Sequence, residues 1–180
     1  MLDPAFGHLI VAGTALLFAN AAAHKLRGLA RFTEVLAAYR VLPDAPARRL
    51  AWLIPCMELC TAAALLWMPS RRTAIVCAMA VLIAYAWGMG INLNRGRLDL
   101  DCGCGAARDR RVIGAWMVWR NLFLAAILGI AALPWSPRPL GFIDFPTILG
   151  GLLVAVTLYA AVDRLLGDVA SKLRLLRSSS

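Results

Sequence analysis

The chain has 180 residues, 61% of them hydrophobic, and carries a net charge of +9. This apolar share exceeds that of an ordinary soluble domain. It is concentrated in blocks of about 20 residues, the length that crosses a bilayer as a helix. These blocks leave no room for a separate soluble domain. The positive charge therefore fits loops at an anionic lipid surface better than a nucleic-acid-binding role.

Five apolar blocks predict five transmembrane helices. They cover residues 5–23, 50–68, 73–92, 112–133 and 147–166. We expect an all-α, polytopic membrane protein that forms one domain over residues 1–180. No Lys or Arg precedes Lys25, so the basic region of a signal peptide is missing and the first block is expected to be a retained helix. The basic tail from Gly167 onwards is predicted to fray.

A shorter amphipathic segment, residues 28–41, follows the first apolar block. Its apolar residues recur at helical spacing. They are Leu29, Phe32, Leu36 and Tyr39. This pattern predicts a helix that lies in the plane of the membrane interface and ends before Pro43. The alternative is a plain connecting loop.

Two cysteines separated by one glycine, Cys102-Gly103-Cys104, lie in a charged loop between the third and fourth blocks. A disulfide within so small a ring departs from relaxed geometry, and strain makes a disulfide easier to reduce. Nearby arginines such as Arg108 would stabilise the reactive thiolate. The loop therefore has the parts needed for thiol–disulfide exchange.

Two other interpretations of this loop stay open. The cysteines could be incidental, or they could bind zinc together with Asp99 and Asp101. Zinc sites usually leave two or more residues between cysteines, so we expect no metal here. The remaining cysteines are expected to pack as small apolar residues. They are Cys56, Cys60 and Cys77.

Charged residues inside membrane spans are costly and mark functional sites. Glu58 in the second span and Arg120 in the fourth each lie eight residues from the end nearest the cysteines, a depth of roughly 12 Å. Equal depth and opposite charge predict an ion pair, which could serve only to fix helix register. Other polar residues are predicted to converge beneath the cysteine loop. They are Asn20, His24, Asn92 and Asn121.

Several short motifs resemble the MauE family of methylamine utilisation proteins, within the wider DoxX-like membrane group. They occur in order as HKL, YRVLP, PCMEL, INLNRGRLDLDCGCG and WRNL. The resemblance covers about residues 10–130 and depends most on Asp-Cys-Gly-Cys with the downstream Arg-Asn. Here Gly105-Ala106-Ala107 replaces the Phe-Gly that usually follows the second cysteine.

The resemblance implies a role in the maturation of methylamine dehydrogenase, whose small subunit carries many disulfides. It implies a thioredoxin-like partner, MauD, and a location in the bacterial inner membrane. By analogy with VKOR- and DsbB-type proteins, it implies a four-helix core and a membrane quinone as the candidate electron acceptor. Cys102 and Cys104 would be the catalytic pair. Gly103 and the polar residues Glu58, Arg120, Asn121, His24 and Asn92 would support them.

Topology and mechanism have rival predictions. The link after the first apolar block, the link after the third block and the C-terminal tail are predicted to lie at the same end of the bundle. We call it the cysteine end. It holds fifteen of the 19 basic residues, which by the positive-inside rule predicts a cytoplasmic position. The resemblance and the chemistry of disulfides instead predict the periplasm, and we follow this second prediction. Two alternatives to redox catalysis are a non-redox scaffold and an electron relay through Cys56 and Cys60.

Overall fold

The computed structural model describes residues 1–40, 44–97, 100 and 113–178. Within these residues the chain forms six α-helices and no strand, apart from one isolated bridge between Leu2 and Trp135. The helices are α1 (Pro4–Arg27), α2 (Leu29–Ala38), α3 (Asp44–Leu66), α4 (Arg71–Asn94), α5 (Ala115–Ala131) and α6 (Asp144–Ser178). The predicted all-α class is confirmed.

Four helices of the described chain are long and apolar enough to cross a membrane. Their apolar segments are Pro4–Arg27, Arg48–Leu66, Arg71–Asn94 and Asp144–Val169. The fifth, α5, is apolar but has only 17 residues. The protein is therefore a multi-pass helical membrane protein.

Four helices surround the core, and a fifth lies outside it. Helix α1 packs against α3, α5 and α6, and α4 packs against α3 and α5. The core between them is built from alanines and a few large side chains, such as Phe18, Leu65 and Leu128. Helix α6 contributes no buried residue along 144–169, so it covers the outside of the bundle.

Three segments extend or refine the predicted elements. Helix α1 continues to Arg27, four residues past the predicted end at Ala23. Helix α6 continues to Ser178, so the predicted fraying from Gly167 is wrong. No glycine or proline follows Gly167 to end that helix. Residues 29–38 form α2 rather than a loop; its position in the membrane interface stays a prediction.

The end opposite the cysteine end is held by contacts between segments distant in sequence. Leu2 N–H donates to the carbonyl of Pro134 at 2.9 Å, and Ser136 N–H donates to the carbonyl of Leu2 at 2.8 Å. The guanidinium of Arg71 lies 3.6 Å from the Trp135 ring centre. These contacts join the starts of α1 and α4 to the segment that follows α5.

Candidate functional site

The loop that carries the cysteines begins and ends at paired positions. Ile113 N–H donates to the carbonyl of Leu100 at 2.8 Å. Both side chains belong to an apolar cluster centred on Met89, Ile113 and Met117. The two residues that flank positions 101–112 therefore lie side by side at one point of the bundle. The predicted catalytic residues Cys102, Gly103 and Cys104, and the zinc alternative's Asp99 and Asp101, lie outside the described residues.

Asn92 controls how the chain leaves α4 towards this loop. Its side chain is fully buried. Its amide donates to the carbonyl of Gly88 at 3.0 Å, and its Oδ1 accepts from Arg97 Nη1 at 3.4 Å. Gly96 takes a positive φ of 70°, which other residues rarely adopt. Asn92 thus links the last turn of α4 to the first residues of the link.

A buried polar cluster lies where α1, α3 and α4 meet. Glu58 on α3 and Lys25 on α1 form an ion pair, and their residues are 1% and 3% exposed. Tyr85 on α4 donates its hydroxyl to Glu58 Oε1 at 2.5 Å and accepts a hydrogen bond from Lys25 Nζ at 3.2 Å. The Lys25 ammonium also lies 4.8 Å from the Tyr85 ring centre and 5.5 Å from that of Phe32 on α2. We call these four residues the Glu58 cluster.

The two oxygens of Glu58 have different surroundings. Both Lys25 and Tyr85 bind Oε1, whereas Oε2 is buried and has no hydrogen-bond partner among the described residues. Leaving a buried acceptor unsatisfied costs about 1–3 kcal/mol, and more for a charged group. The fold therefore keeps one carboxylate oxygen open to a further donor.

Arg120 does not pair with Glu58, so that prediction is wrong. Arg120 Nη1 instead binds Asp163 Oδ1 on α6 at 2.5 Å, with both side chains about one-fifth exposed. The rings of Trp116 and Tyr159 lie 5.2 and 5.9 Å from the guanidinium carbon. Equal depth did not bring the two charges together, because Glu58 points to Lys25 on α1 and Tyr85 on α4 whereas Arg120 points to Asp163 on α6.

The other predicted polar residues are not part of the Glu58 cluster. Asn121 is buried, and its amide donates to the carbonyl of Met117 within α5 at 2.8 Å. His24 is half-buried, and its carbonyl accepts from Gly28 N–H at 3.2 Å at the end of α1. Asn20 is exposed on α1. The structure thus gives Asn92 and Asn121 separate backbone-binding roles.

The three cysteines outside the loop are free thiols on the outer surface. Cys56 and Cys60 on α3 and Cys77 on α4 are all exposed. Our expectation that they serve as small apolar residues stays a prediction. In a membrane these positions face lipid, where a thiol is tolerated as a small apolar group.

Comparison with known proteins identifies the family of this chain. A family model described as "Methylamine utilisation protein MauE" matches residues 3–134. The "Methylamine utilization protein MauE" of Methylophilus methylotrophus is 34% identical over 176 residues, which cover 96% of this chain and 92% of that protein. The chain belongs to the MauE family. No solved structure matches it.

Three site residues of this MauE-family chain were not predicted from its sequence. Lys25 was counted among the loop charges, although it lies inside α1 and is buried. Asp163 lies inside the predicted span 147–166, where any charge is a candidate for function, so that rule would have found it. Tyr85 carries no such signal, because tyrosine is common in apolar helices.

Proposed function

We propose that the protein acts in methylamine utilisation as a membrane component of methylamine dehydrogenase maturation. In this proposal residues 1–180 form one transmembrane domain, and Cys102 and Cys104 carry out thiol–disulfide exchange on the small subunit's disulfides. Membership of the MauE family supports the process. The chemistry of the cysteine pair supports the reaction.

The observation that supports the proposal is that the two residues flanking the cysteine segment are joined by a hydrogen bond beside an apolar cluster. The hydrogen bond between Leu100 and Ile113 fixes both ends of the segment that contains the pair. Tyr85 packs against the same apolar cluster and binds Glu58. A rigid base of this kind suits an exchange site, which must present two sulfurs to a second protein.

The exchange proceeds through a mixed disulfide. A thiolate of the partner attacks one sulfur of the Cys102–Cys104 disulfide, and the other sulfur leaves as a thiolate. A second thiol of the partner then attacks the mixed disulfide and releases the reduced pair. Two electrons pass from the partner's dithiol to the loop, and their onward acceptor in this proposal is a membrane quinone.

The proposed partner is a thioredoxin-like protein, MauD, and the proposed client is the small subunit of methylamine dehydrogenase. We place the protein in the bacterial inner membrane with the cysteine end in the periplasm, where disulfides persist. Burial of Lys25 inside α1 removes one charge from the basic excess that favours the cytoplasm. The other basic residues of that end still count against the periplasm.

Replacement of the loop cysteines tests the reaction. Cys102→Ser and Cys104→Ser are each expected to abolish maturation, measured as active methylamine dehydrogenase in cells, while the membrane level of the protein is unchanged. Cys77→Ser is the matched control, because this thiol is free and exposed on α4. Normal maturation in the double Cys102→Ser, Cys104→Ser variant would show that the pair does no redox chemistry.

Topology needs its own measurement. In a variant with Cys56, Cys60 and Cys77 changed to Ser, a membrane-impermeant thiol reagent applied to intact cells after mild reduction should label the loop. Labelling only after lysis would place the pair in the cytoplasm and contradict the proposal. Modification without prior reduction would favour a scaffold role with free thiols.

The relay alternative requires Cys56 and Cys60 to act as a second redox pair. Their spacing of four residues on one helix hinders a disulfide between them. This spacing favours exchange at the loop over the relay. Changing both to Ser should therefore leave maturation unaffected.

A further inference from the structure

A narrow cleft opens between the first turns of α1 and α6, at the end of the bundle opposite the cysteine end. Its volume is about 290 Å³, near the lower limit of ligand pockets. Phe6 and Leu9 on α1 and Ile148 on α6 supply apolar walls, and three charged residues also line the cleft. These charged residues are Asp3, Arg138 and Asp144.

The cleft ends near Leu9, where α1 and α6 come into close contact. A Cβ added to Gly151 would lie 3.1 Å from Leu9 Cδ2, and one added to Gly13 would lie 3.6 Å from Leu152 Cδ1. Leu9 lies six residues after Asp3, roughly 9 Å along a helix. The hydrocarbon layer of one leaflet is about 15 Å thick. The cleft therefore has the depth to take the upper half of one acyl chain.

The cleft lies at the membrane interface, with its charged residues towards the headgroups. Asp3 precedes the apolar segment Pro4–Arg27, and Asp144 begins the apolar segment Asp144–Val169. Both spans therefore start at the level of these carboxylates. An apolar void beside lipid would lose dispersion contacts on one side. A lipid chain is thus the natural filling, and the charged residues determine which headgroup accompanies it.

Arg138 already uses its donors within the protein. Its Nε and Nη2 donate to the two oxygens of Asp3, both at 2.9 Å. Its Nη1 and Nη2 donate to the two oxygens of Asp144 at 2.7 and 2.9 Å, and Nη1 also donates to the carbonyl of Pro139 at 3.4 Å. A guanidinium has five N–H groups. These five contacts occupy them, so a lipid phosphate finds no donor here.

The two carboxylates, in contrast, can accept more hydrogen bonds. Besides the bonds from Arg138, Asp3 accepts from Ala5 N–H at 2.9 Å and Asp144 accepts from Gly141 N–H at 2.7 Å. Each carboxylate thus accepts three hydrogen bonds within the described chain, and a carboxylate has about four acceptor sites. Two carboxylates against one guanidinium also leave one negative charge. The cluster therefore favours a ligand with a cationic N–H donor.

We propose that this cleft binds an aminophospholipid of the phosphatidylethanolamine type. One acyl chain lies between Leu9 and Ile148, and the primary ammonium donates to Asp3 and Asp144. Phosphatidylcholine has the same net charge but no N–H to donate, and phosphatidylglycerol has no cation. The bound lipid joins α1 to α6, which contributes no buried residue along 144–169. This site involves no cysteine, so it is independent of the exchange reaction proposed above.

The test compares three lipids with identical acyl chains on the full chain in detergent micelles. Native mass spectrometry measures how much phosphatidylethanolamine, phosphatidylcholine or phosphatidylglycerol each chain retains. We expect about tenfold tighter binding of phosphatidylethanolamine than of phosphatidylcholine, the effect of one hydrogen bond to a charged group. Phosphatidylglycerol should bind most weakly. The melting temperature should rise most with phosphatidylethanolamine, because a ligand of the native state stabilises it.

Three variants separate the headgroup from the chain. Asp3→Asn keeps a residue that can cap α1 but removes one negative charge, so the two zwitterionic lipids should bind equally. Thr147→Phe places a ring at a position that lines the cleft, so the binding of all three lipids should fall. Leu149→Phe is the matched control on α6, since Leu149 is 68% exposed and does not line the cleft. It should bind lipid as the wild type does.

The wild-type comparison alone can overturn the inference, whether or not a variant folds. Equal retention of phosphatidylethanolamine and phosphatidylcholine, or a preference for phosphatidylglycerol, would show that the carboxylates do not select an ammonium. A lipid-free dimer in the mass spectrum that Thr147→Phe converts to a monomer would show that a second copy occupies the cleft. A preference for phosphatidylethanolamine that survives in Asp3→Asn would equally contradict the proposed contact.

Discussion

Two ion-paired clusters at opposite ends of the bundle combine the same types of charge in opposite surroundings. The Glu58 cluster is buried and leaves one carboxylate oxygen open. At the other end, Arg138 binds both oxygens of Asp3 and both oxygens of Asp144, and these side chains are partly exposed. In the exposed cluster every carboxylate oxygen accepts a hydrogen bond from Arg138, and these contacts connect distant chain segments. The buried cluster leaves Glu58 Oε2 without a partner among the described residues. Pairing is therefore less complete where burial makes an unpaired group more costly.

The largest difference between the ends should appear when one member of a pair is removed. Lys25→Met leaves Glu58 as an uncompensated buried charge, so we expect a loss of about 3–5 kcal/mol in the free energy of unfolding. Reversible unfolding in mixed micelles measures this. Adding Glu58→Gln to Lys25→Met should recover most of the loss. If the unfolding free energy of Lys25→Met lay within about 1 kcal/mol of the wild-type value, the ion pair would be better solvated than its burial indicates.

A steric change at the opposite end should have a smaller effect. A Cβ at Gly7 would overlap the Trp135 ring, with Cδ2 only 2.9 Å away. Gly7→Ala should therefore cost about 1–3 kcal/mol in unfolding free energy, the range for overpacking. Gly90→Ala is the matched control in α4, because no atom lies within 4 Å of its added Cβ. Equal stabilities of the two variants would show that Trp135 moves aside freely.

The smallest effect should come from the exposed pair, and it should depend on pH. The hydrogen bond from Arg138 holds the pKa of Asp3 below its ordinary value of 3.8. A lowered folded-state pKa gives stability that is present above the unfolded value and is lost as pH falls through the folded one. The difference in melting temperature between wild type and Asp3→Asn should therefore be largest above about pH 4 and shrink below it. A difference that grows on acidification would contradict the assignment.

Much of the fold was predictable because burying an apolar helix in lipid leaves a strong sequence pattern. Each of the five apolar blocks overlaps one helix of the structure, and the segment 28–41 contains α2. Helix ends were less accurate, since α1 continues through Lys25 and Arg27, past the end of the predicted block at Ala23. Long basic side chains can end a hydrophobic pattern without ending a helix.

The pairing within the site was not predictable from sequence. Counting residues from the helix ends gave the depth of Glu58 and Arg120 along the bundle but not the direction in which each side chain points. Direction depends on how each helix is rotated about its own axis. Both α3 and α5 pack against α1 and α4, yet Glu58 points to α1 and α4 whereas Arg120 points to α6. Glu58 therefore binds Lys25 and Tyr85, and Arg120 reaches out to Asp163.

The bridge between Leu2 and Trp135 has a consequence for biogenesis. The start of α1 reaches its final position only when it binds backbone groups of Pro134 and Ser136. A ribosome must therefore finish most of the chain before its first helix can lock in place. Until then the early helices lie in the bilayer without these contacts. A nascent chain stalled before Trp135 should therefore be degraded readily by membrane proteases.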